Sequence, residues 1–154
     1  MRLGGGRHKG AAFEREVAGL LLDELGIKFK REIEQYRQSD LGDLVPCDGT
    51  FPFTIECKRY ADGYLAKDSW WDQACSAARA AGLLPSLIYR FDRRPIICRV
   101  PVAAFVVMSG AKDDYGWQYN ADVTFEAYCM IAREILASGN PCIERNENVI
   151  GIGN

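Results

Sequence analysis

Glu56-Cys57-Lys58 sets a carboxylate and an amine two positions apart in a run from Phe53 to Lys58 whose residue types suit a strand. In an extended chain alternate side chains share a face, so Thr54, Glu56 and Lys58 point one way while Phe53, Ile55 and Cys57 point the other. Asp43 opens a second short run, Leu44-Val45-Pro46-Cys47, and the Asp48-Gly49 pair between the runs is a hairpin signal that folds Asp43 back toward Glu56. Two carboxylates brought together repel unless a cation lies between them. An oxygen-only pair, with no imidazole or thiolate motif beside it, suits Mg²⁺, with Mn²⁺ as a substitute. The chemistry that follows is hydrolysis of a phosphodiester. Asp43 and Glu56 hold the metal that neutralises phosphate oxygens and acidifies a water, and Lys58 orients that water or stabilises the growing charge. Glu-x-Lys alone is a common surface pair, so it is the convergence with Asp43 that points to catalysis.

Composition removes the competing chemistries. The 154 residues contain a single histidine, His8, which excludes two-histidine phosphodiesterases and zinc sites built on several imidazoles. A Ser/His/Asp triad would have to recruit His8 from a glycine-rich start. The cysteines at 47, 57, 75, 98, 129 and 142 form no Cys-x-x-Cys pair, and Cys57, Cys75, Cys98 and Cys129, among apolar neighbours, read as small reduced core residues. Gly4-Gly5-Gly6-Arg7-His8-Lys9-Gly10 lacks the Lys-Ser/Thr of a phosphate-cradling loop, so no nucleotide cofactor is expected. With 48% hydrophobic and 26% charged residues the chain reads as one globular domain, 1–154. No apolar run is long enough to cross a bilayer, and a soluble, unexported, cytoplasmic protein of prokaryotic or viral origin is expected.

Other elements must hold these residues in place. A helix is predicted from Ala11 to Leu25, with Val17, Ala18, Leu21 and Leu25 as one stripe and Gly26 as its stop. Glu14 heads that stripe and is a further ligand or an outer carboxylate, whereas Glu16 falls on the flank. Ile27 to Tyr36 reads as an edge strand. Asp68 or Ser69 caps a helix that runs to Ala81 and stops at Gly82, with a stripe of small residues at Ala74, Ala77, Ala78 and Ala81. Ser86 to Phe91 and Pro95 to Val100 read as strands joined across Asp92-Arg93-Arg94, and a short helix follows from Val102 to Met108. Lys112 to Asn120 reads as a polar loop. Asp122 or Thr124 caps a helix ending at Ser138, which either covers the sheet or pairs with a second subunit.

Charge is distributed unevenly along the chain. Residues 38–57 carry four acids and no base, and the segments on both sides carry an excess of Lys and Arg. That layout suits a metal held between phosphate-contacting surfaces. Arg2, Arg7 and Lys9 could form an arm on DNA phosphates, and Arg90, Arg93, Arg94 and Arg99 a basic ridge around one hairpin. Trp70 and Trp71 are adjacent helix positions, so one is expected in the core and the other could stack on an unpaired base.

Asp43 followed thirteen positions later by Glu56-Cys57-Lys58 resembles the PD-(D/E)xK nuclease signature. Lys9-Gly10-Ala11-Ala12-Phe13-Glu14-Arg15-Glu16 resembles the Lys-Gly-x-x-x-Glu-Arg-Glu start of the archaeal-type Holliday-junction resolvases. The likeness spans about residues 7–100, leaving 101–154 as an extension. It implies an α/β, restriction-endonuclease-like core: a mixed central β-sheet flanked by α-helices. It also implies Glu14, Asp43, Glu56 and Lys58 as the catalytic set, Mg²⁺ dependence, a homodimer, and paired nicks in a four-way DNA junction. Arg15 matches a basic residue beside that set, and Arg37-Gln38-Ser39 loosely matches an Arg/Ser stretch before the aspartate. Arg7, Lys9, Arg15 and Arg37 are thus the expected DNA contacts, and Gln73 an accessory residue like the helix glutamines of some superfamily members. Gly42 stands where the signature has proline. The other readings of this site are a restriction, repair or flap-type nuclease and an inactive DNA-binding module.

Overall fold

A computed structural model describes residues 5–32, 42–111 and 115–139, with side chains from Gly10 onward. The first helix, α1 (Gly5–Leu25), begins six residues earlier than the apolar periodicity predicts, so the glycine-rich start is helical from Gly5 and carries the backbone of Arg7 and Lys9. Its fully buried residues are Phe13, Val17 and Leu21, spaced one turn apart. The stripe is thus centred one position before Glu14, which sits on its edge.

Six strands follow with three more helices: β1 (Phe29–Arg31), β2 (Leu44–Pro46), β3 (Phe53–Tyr60), α2 (Asp68–Ala81), β4 (Leu84–Phe91), β5 (Ile97–Pro101), α3 (Ala103–Met108), β6 (Asn120–Thr124) and α4 (Phe125–Ser138). Residues 33–36 of the expected 27–36 strand, and Arg37 after it, lie outside the described residues. The sheet order is β1-β2-β3-β4-β5-β6, antiparallel throughout except for β3 and β4. That parallel pair needs a crossover, and α2 supplies it. The β2–β3 connection is a loop over residues 47–52, longer than a two-residue turn, because β2 stops at Pro46 and Phe51 is drawn into the core.

Alternation sorts the strand residues between two layers. Ile55, Cys57, Ile88, Cys98 and Val100 join α1, α3 and α4 in the larger apolar cluster. Leu87, Tyr89 and Phe91 pack with Trp70, Trp71, Ala74 and Cys75 of α2 on the opposite face. Ala74 and Ala78 are fully buried, so the small-residue stripe does bring α2 close to β3 and β4.

Several local expectations are corrected. The α2 N-cap is Lys67, in extended conformation and without a side-chain cap, and Asp68 lies in the first turn, where its charge suits the helix dipole. Both tryptophans are buried, Trp70 beneath Tyr60 and against Phe91, and Trp71 through an Nε1–H bond to the Trp117 carbonyl at 2.9 Å, so neither is presented to a base. Strand β6, which the residue pattern does not predict, begins at Asn120 where the expected polar loop ends, and pairs with β5 from Ile97↔Thr124 to Pro101↔Asn120. Of the two offered caps for α4 it is Thr124 that acts, its hydroxyl accepting from the Ala127 N–H at 3.1 Å. Phe125, Tyr128, Ile131 and Ile135 are buried against the sheet and α1, so α4 is a layer of this subunit. Cys47, Cys57, Cys75, Cys98 and Cys129 are free thiols, as expected. Among the described residues no helix is long and apolar enough to cross a membrane.

Candidate active site

Pairing places Asp43 beside Glu56. Leu44 faces Ile55 across the β2–β3 pair, and the antiparallel register carries Asp43, one residue back, toward Glu56, one residue on. The contact is fixed by two hydrogen bonds: the Asp43 N–H donates to the Ile55 carbonyl at 2.7 Å, and Asp43 Oδ2 accepts from the Cys57 N–H at 2.8 Å. Gly42 makes this approach feasible. Its φ is +78°, and a Cβ there would lie 2.8 Å from the Ile55 carbonyl oxygen, so only glycine lets the chain enter the site this close to β3. The signal was in the sequence as a glycine directly before the aspartate, at the position where the signature has proline.

Both acids are buried, Asp43 at 7% exposure and Glu56 at 4%. Lys58, two residues on and on the same strand face as Glu56, is half-buried where β3 leaves the core. Glu14 approaches from α1 with its side chain 16% exposed and is paired with the Arg31 guanidinium on β1. Arg31 was missed in the sequence because a basic residue on a three-residue edge strand carries no pattern. The thiol of Cys57 registers the three acids together: burial pushes its pKa well up, and the charges of Asp43, Glu14 and Glu56 push it further in that order. Asp43 and Glu56 thus flank Cys57 on β3, and the charge of Glu14 reaches it from α1.

They do not form a ready-made cage. Among the described residues no three His, Cys, Asp or Glu side chains converge closely enough to ligate one ion. The donor set nevertheless fits a hard divalent cation, since Mg²⁺ is held by one or two carboxylates together with waters and substrate phosphates rather than by an all-protein shell. A buried Asp facing a buried Glu supplies those two carboxylates.

The remaining candidates are more dispersed. Arg15 is exposed on α1, and Gln73 is exposed on α2. Arg7 and Lys9 lie on the first turns of α1 with side chains outside the described set, and Arg37 lies outside the described residues. The expected arginine ridge is not a single surface. Arg90 pairs with Glu16 at 2.9 Å and covers the Phe13 ring, while Arg99 makes two bonds to Asp122, at 2.9 and 3.0 Å. Arg93 and Arg94 alone of the four stay exposed at the β4–β5 turn.

A family model described as phage putative PDDEXK endonuclease matches residues 5–136, a span that contains every described element except the last two residues of α4. The chain belongs to this family of phage PDDEXK endonucleases. Its enzyme class is therefore nuclease, and the mixed six-stranded sheet with helices on both faces is the restriction-endonuclease-like core of a PDDEXK enzyme. No curated protein matches this PDDEXK chain. Among solved structures it is similar to Archaeoglobus fulgidus Hjc, a Holliday junction resolvase from an archaeal hyperthermophile, with 18% identity and a TM-score of 0.45 over 79% of this chain and 88% of that one.

Proposed function

We propose that this PDDEXK endonuclease is a divalent-metal-dependent DNA endonuclease that resolves four-way junctions as a homodimer. Asp43, Glu56 and Lys58 form its hydrolytic centre and Glu14 an outer carboxylate. The observation that carries the reading is the buried Asp43 carboxylate fixed beside Glu56, which itself stands two residues before Lys58. A structure selected only for stability would place apolar residues there, since buried acids rarely improve on a hydrophobe.

Asp43 and Glu56 would hold Mg²⁺ or Mn²⁺. That ion supplies positive charge at the phosphate oxygens and lowers the pKa of water. The Cys57 N–H holds the Asp43 carboxylate in one orientation. Lys58 orients the attacking water and donates to the oxygen on which charge grows, which lowers the barrier without a covalent intermediate. Arg31 holds Glu14 at the edge of the site and keeps its charge from closing on the other two acids. Arg7, Lys9, Arg15 and Arg37 bind backbone phosphates and set the register of the DNA, and Gln73 is an accessory contact.

The test incubates the purified protein with a synthetic four-way junction and with a linear duplex of matched sequence, in Mg²⁺ and then in chelator. Symmetric metal-dependent nicks confined to the junction are expected. Equal cutting of linear duplex would replace the junction reading with a general, repair or flap-type nuclease, and binding without cutting would leave a DNA-binding module. Sedimentation at micromolar concentration is expected to give twice the 17.2 kDa chain mass, and a species of single-chain mass would contradict the dimer.

A further inference from the structure

The row of side chains that begins with Glu56 and Lys58 continues to Tyr60, roughly 13 Å beyond Glu56 at about 3.3 Å per residue. There β3 and β4, in parallel register with Tyr60 beside Phe91, end together and open a cavity of about 530 Å³ between the loop after β3 and the turn after β4. A crevice beyond the carboxyl ends of parallel strands is where open α/β sheets take ligands.

The walls of this cavity are built for a flat ring. Tyr64 is 74% exposed, and the Arg94 guanidinium lies 3.9 Å from its ring centre. Outside the cavity, at the end of β3, Tyr60, 44% exposed, stacks on Trp70 at 4.7 Å and 22°, with Lys67 Nζ 5.4 Å from the Tyr60 ring. Two aromatic rings, each partnered by a cation, therefore sit at one end of the strand that carries Lys58. The cavity is shaped at some cost: Arg93 holds a φ of +66°, which an arginine seldom adopts, and Gly63 packs so close to Phe91 that a Cβ would lie 2.3 Å from the ring. Asp62 and Asp92 also line it, with Asp92 bonded by Arg59 at 3.1 Å. Carboxylates repel a phosphate but accept from the exocyclic amines of a base, so the ring of a nucleotide suits the interior and its phosphates suit Arg93 and Arg94 at the rim.

We infer that the cavity between Tyr64 and the Arg93-Arg94 turn is a base-binding subsite, which takes one unpaired, unstacked base of the DNA strand beyond the cut and selects substrates with splayed strands. The inference rests on the hydrolytic centre proposed above for its direction along β3. Stacking on an aromatic face is tolerant of base identity, so the subsite reads strand separation rather than sequence.

The test uses the full chain in chelator, where no cutting occurs, with forked and fully paired duplexes carrying 2-aminopurine at the branch. Wild-type protein is expected to quench the probe in the fork. Tyr64→Ala abolishes the quenching and weakens binding to the fork roughly tenfold, while paired duplex changes less than twofold and Tyr64→Phe restores both readings. Arg94→Ala gives the same pattern with a smaller loss. Quenching that survives Tyr64→Ala, or an equal loss on paired duplex, would overturn the subsite. A protein that quenches but cuts no DNA in Mg²⁺ leaves the subsite standing and removes the proposed activity; one that cuts junctions with the probe unquenched does the reverse.

Discussion

The two faces of the sheet are built from the same strands and answer to different demands. The face covered by α1, α3 and α4 is close-packed and almost wholly apolar. Its buried polar groups are satisfied in pairs: the Ser86 hydroxyl donates to the Thr54 carbonyl at 2.6 Å and lies 2.9 Å from the Tyr128 hydroxyl. The face covered by α2 is smaller, and its row along β3 runs from a buried carboxylate through a half-buried lysine to an exposed tyrosine. The contrast teaches that one face mainly sets stability and the other is free to carry charge, with Asp43 admitted where short β2 leaves room and Glu14 reaching the β1 edge from α1.

Substitutions should separate the faces. The largest effect is expected on the α2 face, where Lys58→Ala and Glu56→Gln each reduce single-turnover cleavage by roughly 10²-fold or more and leave DNA affinity and melting temperature nearly unchanged. A Lys58→Ala enzyme cutting at near-normal rate would remove that amine from the mechanism. On the opposite face Ile88→Ala, at a fully buried position, should cost about 2–5 kcal/mol in urea unfolding while the folded fraction keeps its activity. A cost under about 1 kcal/mol would mean that this face is not the stabilising one.

Alkaline pH should sharpen the same division. Burial pushes the Cys129 thiol up to about 12 and the Cys75 thiol to about 11, and Tyr89, buried and near Asp122, is raised to about 12. Burial also raises Cys57, Cys98 and Tyr128 well above their ordinary values. The native state thus keeps protons that the unfolded chain releases, so stability holds below about pH 9 and falls as pH climbs toward 12. Unfolding free energies at pH 7.5 and 10 check this, and equal values would contradict it. The smallest effect belongs to the rim: Arg133 and Glu24 are both about half exposed at 3.4 Å, and Arg133→Ala should change stability by less than about 0.5 kcal/mol, with a loss above 1 kcal/mol contradicting a screened surface pair.

Much of this was legible in the sequence because it rests on local periodicity. The 53–58 alternation, the apolar spacing of α1, the small-residue stripe of α2 and Gly26, Gly82 and Gly139 as helix stops all translate directly into structure. What escaped was set by distant partners. Strand β6 has only Ala121 and Val123 to mark it, and its pairing with β5 overrides a polar composition. Trp70, on α2, is buried because Tyr60 of β3 and Phe91 of β4 meet it from the sheet. Arg90 and Arg99 look like free basic residues until Glu16 and Asp122 are brought opposite them. Asp43 and Glu56 could be read together because a hairpin is a local contact, whereas the Glu14–Arg31 pair depends on how α1 lies against β1.

Anomalous diffraction from a crystal soaked in Mn²⁺ with a short DNA bound tests the central claim most directly. An anomalous peak bridging the Asp43 and Glu56 carboxylates, with Lys58 Nζ facing the same phosphate, is the predicted result. Manganese found elsewhere, with those two acids turned away from the phosphate, would contradict it.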